Sequence, residues 1–125
     1  MALTALIVED EGDLRLMTRM ILESRPGYAV LEAESGAEAL ALLDRSEIDL
    51  ILLDIRLPDM EGWEILERLT EQGRFPEMPV VMVSAHSTPS TAERAMREGV
   101  RAYVTKPFTS DELFDAIARA LPAPG

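Results

Sequence analysis

Four apolar runs in this chain each end on a side chain capable of chemistry. Leu6-Ile7-Val8 stops at Glu9-Asp10, and Leu50-Ile51-Leu52-Leu53 stops at Asp54. Val80-Val81-Met82-Val83 stops at Ser84, and Ala102-Tyr103-Val104-Thr105 at Lys106. Lys106 is the single lysine, and the other eleven basic residues are all arginine. Lysine is a compact point charge on a flexible stem where arginine is a planar fork. A lone ammonium therefore suits a site that follows one small anion through a reaction. If the runs are parallel strands, their carboxyl ends bring three carboxylates, a hydroxyl and an ammonium to one sheet edge. Carboxylates that close repel unless a proton or a cation offsets them. Oxygen ligands with water and phosphate completing the shell describe Mg2+. An aspartate beside such a metal and a lysine can attack phosphorus to give an acyl phosphate. The cations would neutralise the equatorial oxygens during transfer, and Ser84 would donate a hydrogen bond to one of them.

Strand-like and helix-like stretches alternate five times, which supplies the strands this site needs. The first strand is read from about Leu3 to Val8, then a helix from about Asp13 to Ser24 with Leu14, Met17, Ile21 and Leu22 on one stripe. Pro26-Gly27 turns into a second strand, Tyr28 to Ala33, and Ser35 to Glu38 reads as a capping box for a helix ending near Arg45. The third strand is Leu50 to Asp54, with a helix from about Glu61 to Gln72. The fourth is Val80 to Ser84. Thr88-Pro89 caps the next helix, which Gly99 ends. The last strand is Arg101 to Thr105, and Thr109 to Glu112 caps a final helix that reaches about Leu121.

Continuous apolar strands alternating with helices specify an α/β chain with a parallel sheet covered on both faces. The more mixed second strand suits an edge. Right-handed crossovers favour a doubly wound, flavodoxin-like (βα)5 sheet of five parallel strands in the order 2-1-3-4-5. In such sheets ligands bind at the carboxyl ends of the strands, where the polar cluster falls.

The 125 residues fit one domain, read as residues 1–121 with 122–125 as a tail or the start of a linker. A formal charge of −11 argues against direct nucleic-acid binding. It favours divalent cations and basic partner patches. The absence of cysteine removes disulfides, thiolate metal sites and cysteine nucleophiles. No apolar stretch is long enough to span a bilayer, and no signal peptide is evident, so the expectation is a cytoplasmic protein away from membranes.

The strings Leu6-Ile-Val-Glu-Asp-Glu11, Leu53-Asp-Ile-Arg-Leu-Pro-Asp-Met-Glu-Gly62, Val83-Ser-Ala85 and Tyr103-Val-Thr-Lys-Pro-Phe108 together resemble the receiver domain of bacterial two-component response regulators. The resemblance runs from about Leu3 to Leu121. It implies that Asp54 accepts phosphate from a sensor histidine kinase or phosphotransfer protein. It further implies Mg2+ held by Asp10, Asp54 and the backbone carbonyl of Arg56, with Glu9 acting through water. Ser84 and Lys106 would hold the phosphoryl group, and Tyr103 would change rotamer as Ser84 moves. Lys106-Pro107 would be cis, which an X–Pro bond tolerates. Pro58 and Gly62 belong to the same pattern as structural residues.

The resemblance also implies that Arg56 and His86 stand at the positions that flank the phosphoryl group and the path of attacking water in similar proteins, and they are expected to alter the lifetime of the acyl phosphate. The output face would be the one made by the fourth helix, fifth strand and fifth helix, including Ala95, Arg101, Tyr103 and Phe114, controlling a downstream protein or an output domain. Three competing readings are weaker. An aspartate-nucleophile phosphatase wants a second aspartate where Arg56 stands. A flavodoxin-like cofactor binder lacks its phosphate loop. A phosphate-independent interaction module usually loses the acceptor or the lysine, and both are here. The expectation is thus a switch with weak self-catalysed phosphorylation and dephosphorylation rather than an enzyme turning over a substrate.

Overall fold

The computed structural model describes residues 2–85 and 88–121. His86 and the tail at 122–125, both named above, lie outside the described residues. Ten elements alternate: β1 (Leu3–Val8), α1 (Gly12–Glu23), β2 (Tyr28–Ala33), α2 (Gly36–Arg45), β3 (Leu50–Asp54), α3 (Gly62–Glu71), β4 (Val80–Ser84), α4 (Pro89–Glu98), β5 (Ala102–Thr105) and α5 (Ser110–Ala120). The strands form one parallel sheet in the order β2-β1-β3-β4-β5, as the alternating pattern predicts. Among the described residues no helix is long and apolar enough to cross a membrane.

Each strand divides its side chains between two cores, because successive residues point to opposite faces. Leu6, Val8, Ile51, Leu53, Val80 and Met82 face α2, α3 and α4, where Ala39, Leu43, Trp63, Leu66, Leu69 and Ala95 meet them. Ala5, Ile7, Leu50, Leu52, Val81 and Val83 face α1 and α5, against Leu22, Leu113, Phe114 and Ile117. Burial on both faces is why these runs lack polar alternation. Local signals fix the helix ends. Ser35, Thr88 and Thr109 accept the amides of Glu38, Thr91 and Glu112, and Thr109 with Glu112 completes a reciprocal box. Gly99 closes α4 in the left-handed conformation at φ 101°.

Several side chains face other ways than their spacing suggests. Met17 is exposed, and Thr18 with Leu22 is buried in its place. Arg15 and Arg19 both pair with Glu32 of β2, which sets the rotation of α1. The Thr18 hydroxyl is satisfied by donating to the Leu14 carbonyl at 2.8 Å. Leu16, Met17 and Met20 remain as exposed apolar side chains on this helix. Of the residues placed on the output face, Ala95 and Phe114 are buried. Phe114 lies on the α1 side of the sheet, under the Arg25 guanidinium at 3.6 Å and near Tyr28. Arg101 is half-buried and donates to the Ala120 carbonyl at 3.0 Å, so it ties down the end of α5 instead.

Candidate functional site

The register of the sheet sets the strand ends side by side. Val8 pairs with Leu53, which places Glu9 and Asp54 next to each other at the carboxyl edge. Asp54 pairs with Val83 and Ser84 with Thr105. The Lys106 amide then donates to the Ser84 carbonyl at 2.8 Å, carrying the lysine one step past the last strand. Both the Lys106-Pro107 and Phe75-Pro76 peptides are cis.

The Lys106 ammonium lies between two buried carboxylates, 2.5 Å from Glu9 Oε1 and 2.8 Å from Asp54 Oδ2. Glu9, Asp54 and Ser84 are 4%, 7% and 6% exposed, whereas Asp10 is open to solvent. The remaining carboxylate oxygens have backbone donors: Asp54 Oδ1 accepts from the Arg56 amide at 3.1 Å and Glu9 Oε2 from the Glu11 amide at 3.2 Å. Neither Glu9 nor Asp10 caps α1, whose N-cap is Glu11 without a side-chain hydrogen bond. Asp10, Glu11, Asp54, Arg56, Ser84, Ala85 and Lys106 line a cavity of about 220 Å³. Arg56 and Ser84 also line a neighbouring hollow of about 500 Å³ whose walls include Trp63 and Thr88.

One oxygen each from Glu9, Asp10 and Asp54 lies within 4.8 Å of the others. Three hard, anionic donors beside a solvent opening fit a divalent cation that keeps part of its water shell. The electrostatics agree with that fit. Burial pushes the Glu9 carboxyl up to about 7, with the Asp54 charge adding to it and the Lys106 hydrogen bond opposing it. Burial works against the Lys106 ammonium, but hydrogen bonds to Asp54 and Glu9 outweigh it and raise its pKa. One ammonium thus serves two carboxylates and leaves negative charge over.

This surplus has a measurable consequence in the metal-free protein. The Glu9 pKa in the fold lies above its ordinary value of 4.5. Between 4.5 and 7 the folded state therefore binds more protons than the unfolded one, and stability from this group falls as pH rises through that window. With EDTA present, the thermal midpoint of the native chain relative to Glu9→Gln is expected to drop between pH 5 and pH 8. A difference that stays flat across the range removes the surplus-charge account.

The loop between β3 and α3 is braced against Asp54. The Gly62 amide donates to the Ile55 carbonyl at 2.6 Å, and a Cβ at Gly62 would come within 2.6 Å of the Asp54 carbonyl oxygen. Only glycine allows that approach. Pro58 sits exposed at the tip of this loop. Tyr103, on the α4 side of β5, is half-buried, and its hydroxyl is buried without a hydrogen-bond partner among the described residues. Two positioning contacts escaped the sequence reading. Arg15 donates to the Glu9 carbonyl at 2.8 Å, and Asp59 reaches from the β3–α3 loop to the start of α2. The first joins residues six apart across the β1–α1 turn and the second residues 23 apart, and neither spacing nor composition marks such partners.

Residues 5–118 match the family model described as the response regulator receiver domain. The transcriptional regulatory protein GlrR of Escherichia coli (strain K12) is 38% identical over 116 residues, which is 93% of this chain and 26% of that protein. The chain spans about a quarter of the length of the first curated relatives it matches. The chemotaxis protein CheY of Listeria monocytogenes serovar 1/2a is 32% identical over 118 residues, covering 94% of this chain and 98% of that one. Among solved structures, a CheY-like receiver domain protein from Methanospirillum hungatei JF-1 superposes with a TM-score of 0.83 at 33% identity, over 94% of this chain and 92% of that one.

Proposed function

The chain belongs to the response regulator receiver domain family, and from the residues gathered at its sheet edge we propose that it is a phosphorylation-dependent switch of a two-component relay with Asp54 as the acceptor. The observation that carries this reading is the Lys106 ammonium held against buried Asp54, beside an oxygen cluster suited to Mg2+. In the transfer step one Asp54 oxygen forms a bond to phosphorus as the donor's bond to phosphorus breaks. A donor histidine leaves as neutral imidazole. Asp10, Asp54 and the Arg56 carbonyl would hold Mg2+, with Glu9 acting through water, and the metal when bound would supply positive charge beside the transferring group. Lys106 moves from carboxylate to phosphoryl oxygen, and Ser84 donates to another of those oxygens.

Tyr103 then reads the change. A buried hydroxyl without a partner among the described residues costs roughly 1–3 kcal/mol, which favours any arrangement that satisfies it. Phosphorylation biases that choice and reshapes the α4–β5–α5 face toward a downstream protein or an output domain. Arg56 and His86 set how long the phosphoryl group survives against water. The donor is a histidine kinase or phosphotransfer protein; its histidine must reach Asp54, so it rests on the elements bordering that edge. The setting is the cytoplasm, and the strongly acidic surface disfavours direct contact with nucleic acid.

Incubation with acetyl phosphate tests the reading by intact-protein mass. The native chain is expected to gain one phosphoryl group with Mg2+, none with EDTA, and to lose it in hydroxylamine. No gain from acetyl phosphate or from any histidine-phosphorylated donor would leave a phosphate-independent interaction module.

A further inference from the structure

Asp59 sits five residues past the acceptor, yet its contacts lie on another element. Its two carboxylate oxygens accept the Gly36 amide at 2.8 Å and the Ala37 amide at 2.9 Å, at the start of α2. That helix already has its own cap, since the Ser35 hydroxyl accepts the Glu38 amide at 3.2 Å. Asp59 takes two amides that this cap leaves open, and it does so from a different element. It ties the β3–α3 loop to that helix. The next residue strengthens the tie, because Met60 packs so closely over Gly36 that a Cβ there would come within 2.3 Å of its Cγ.

The tie leads back to the site through a short hairpin. The Leu57 amide donates to the Met60 carbonyl at 3.1 Å, and the Gly62 amide to the Ile55 carbonyl at 2.6 Å. Between them, Arg56 bridges Glu61 and gives its amide to Asp54 Oδ1 at 3.1 Å. One end of the hairpin grows out of the acceptor strand, and its far corner is fixed on α2. We propose that Asp59 is a positioning residue for the phosphoryl-transfer site, fixing the Arg56 backbone by clamping this hairpin to the start of α2. The proposal rests on the reading in which the Arg56 carbonyl is a ligand to Mg2+.

The physical reason is the geometry the metal demands. Mg2+ requires near-ideal octahedral coordination and adapts poorly to a wandering ligand. A carbonyl held in place loses little freedom when it binds. One on a loose loop must be ordered at that moment, which weakens affinity. The Gly36 and Ala37 amides hold the Asp59 carboxyl below its usual pKa, so the clamp stays charged through neutral and mildly acidic pH.

Two readouts on the intact chain test this. The first is amide hydrogen exchange at Leu57 in the metal-free protein. The second is Mg2+ affinity followed by Trp63 fluorescence. Asp59→Ala is expected to speed Leu57 exchange at least tenfold and to weaken Mg2+ binding at least fivefold. Asp59→Asn, which keeps one acceptor, should fall between. Ser35→Ala removes the other cap of the same helix and should lower thermal stability while leaving both readouts unchanged. Unchanged exchange and affinity in both Asp59 variants overturn the proposal, as does a Ser35→Ala effect of equal size. A native chain that binds no Mg2+ removes the metal reading and this proposal together, an outcome distinct from native binding that the Asp59 variants preserve.

Discussion

Asp54→Asn is expected to accept no phosphoryl group under conditions that load the native chain fully, and to be more thermostable than the native chain in EDTA. The first half follows from nucleophilicity: the amide has no anionic oxygen to attack phosphorus. The second follows from the charge around it. Asp54 is buried, and its charge raises the Glu9 pKa while sharing a single ammonium with it. Removing that charge leaves Lys106 and Glu9 as a balanced pair. An amide of the same shape fills the same space but keeps one acceptor oxygen, so it satisfies either the Arg56 amide or Lys106, which retains Glu9 as its partner. The gain in thermal midpoint should shrink as Mg2+ is added, because the cation relieves the same repulsion only in the native chain. A variant that still gains one phosphoryl group would move the acceptor to another carboxylate and sink the assignment. A lower midpoint in EDTA would show that Asp54 stabilises the metal-free fold.

Lys106→Met is expected to lose phosphoryl transfer by at least a hundredfold and to destabilise the metal-free protein at pH 8. The long apolar stem is kept, so the change isolates the ammonium. Without it, Glu9 and Asp54 face each other at the buried sheet edge with no compensating charge. Breaking a buried ion pair from one side costs on the order of 3 kcal/mol. The loss should diminish toward pH 5, where Glu9 takes up a proton, since its pKa in the fold already lies near 7. Added Mg2+ should restore part of the stability but not the transfer rate, because the metal offsets the carboxylates and cannot replace the donor to the phosphoryl oxygen. Equal urea midpoints for the variant and the native chain at pH 8 would show that Lys106 is not the counter-charge of this pair.

Much of the architecture was already legible in the sequence. Strands that end on chemistry-bearing residues, glycine and proline at the turns, and hydroxyl caps before the helices are local signals, and each acts within a few residues. Gly99 closes α4 and Thr109 opens α5 by interactions that need no distant partner. The convergence of Glu9, Asp54, Ser84 and Lys106 was legible for a different reason. Parallel strands of a doubly wound sheet must present their carboxyl ends along one edge, so topology alone brings these residues together.

The rotation of each helix and the partners of side chains that cross between elements were decided by the tertiary structure. The apolar stripe on α1 allowed Met17 inward, but the pairing of Arg15 and Arg19 with Glu32 turned Thr18 inward instead. Phe114 fitted either side of α5, and the space beside Tyr28 and Arg25 settled it. Arg101 looked like a surface base until the carbonyl at the end of α5 was placed beside it. Asp59 reads as an ordinary loop aspartate, and only packing α2 against the β3–α3 loop sets two backbone amides in front of it. Local chemistry, together with the handedness of the crossovers, determines the element order and which strand ends meet. The angle at which each helix lies on the sheet comes from the sum of many weak contacts between residues far apart in the chain, which no short stretch of sequence encodes.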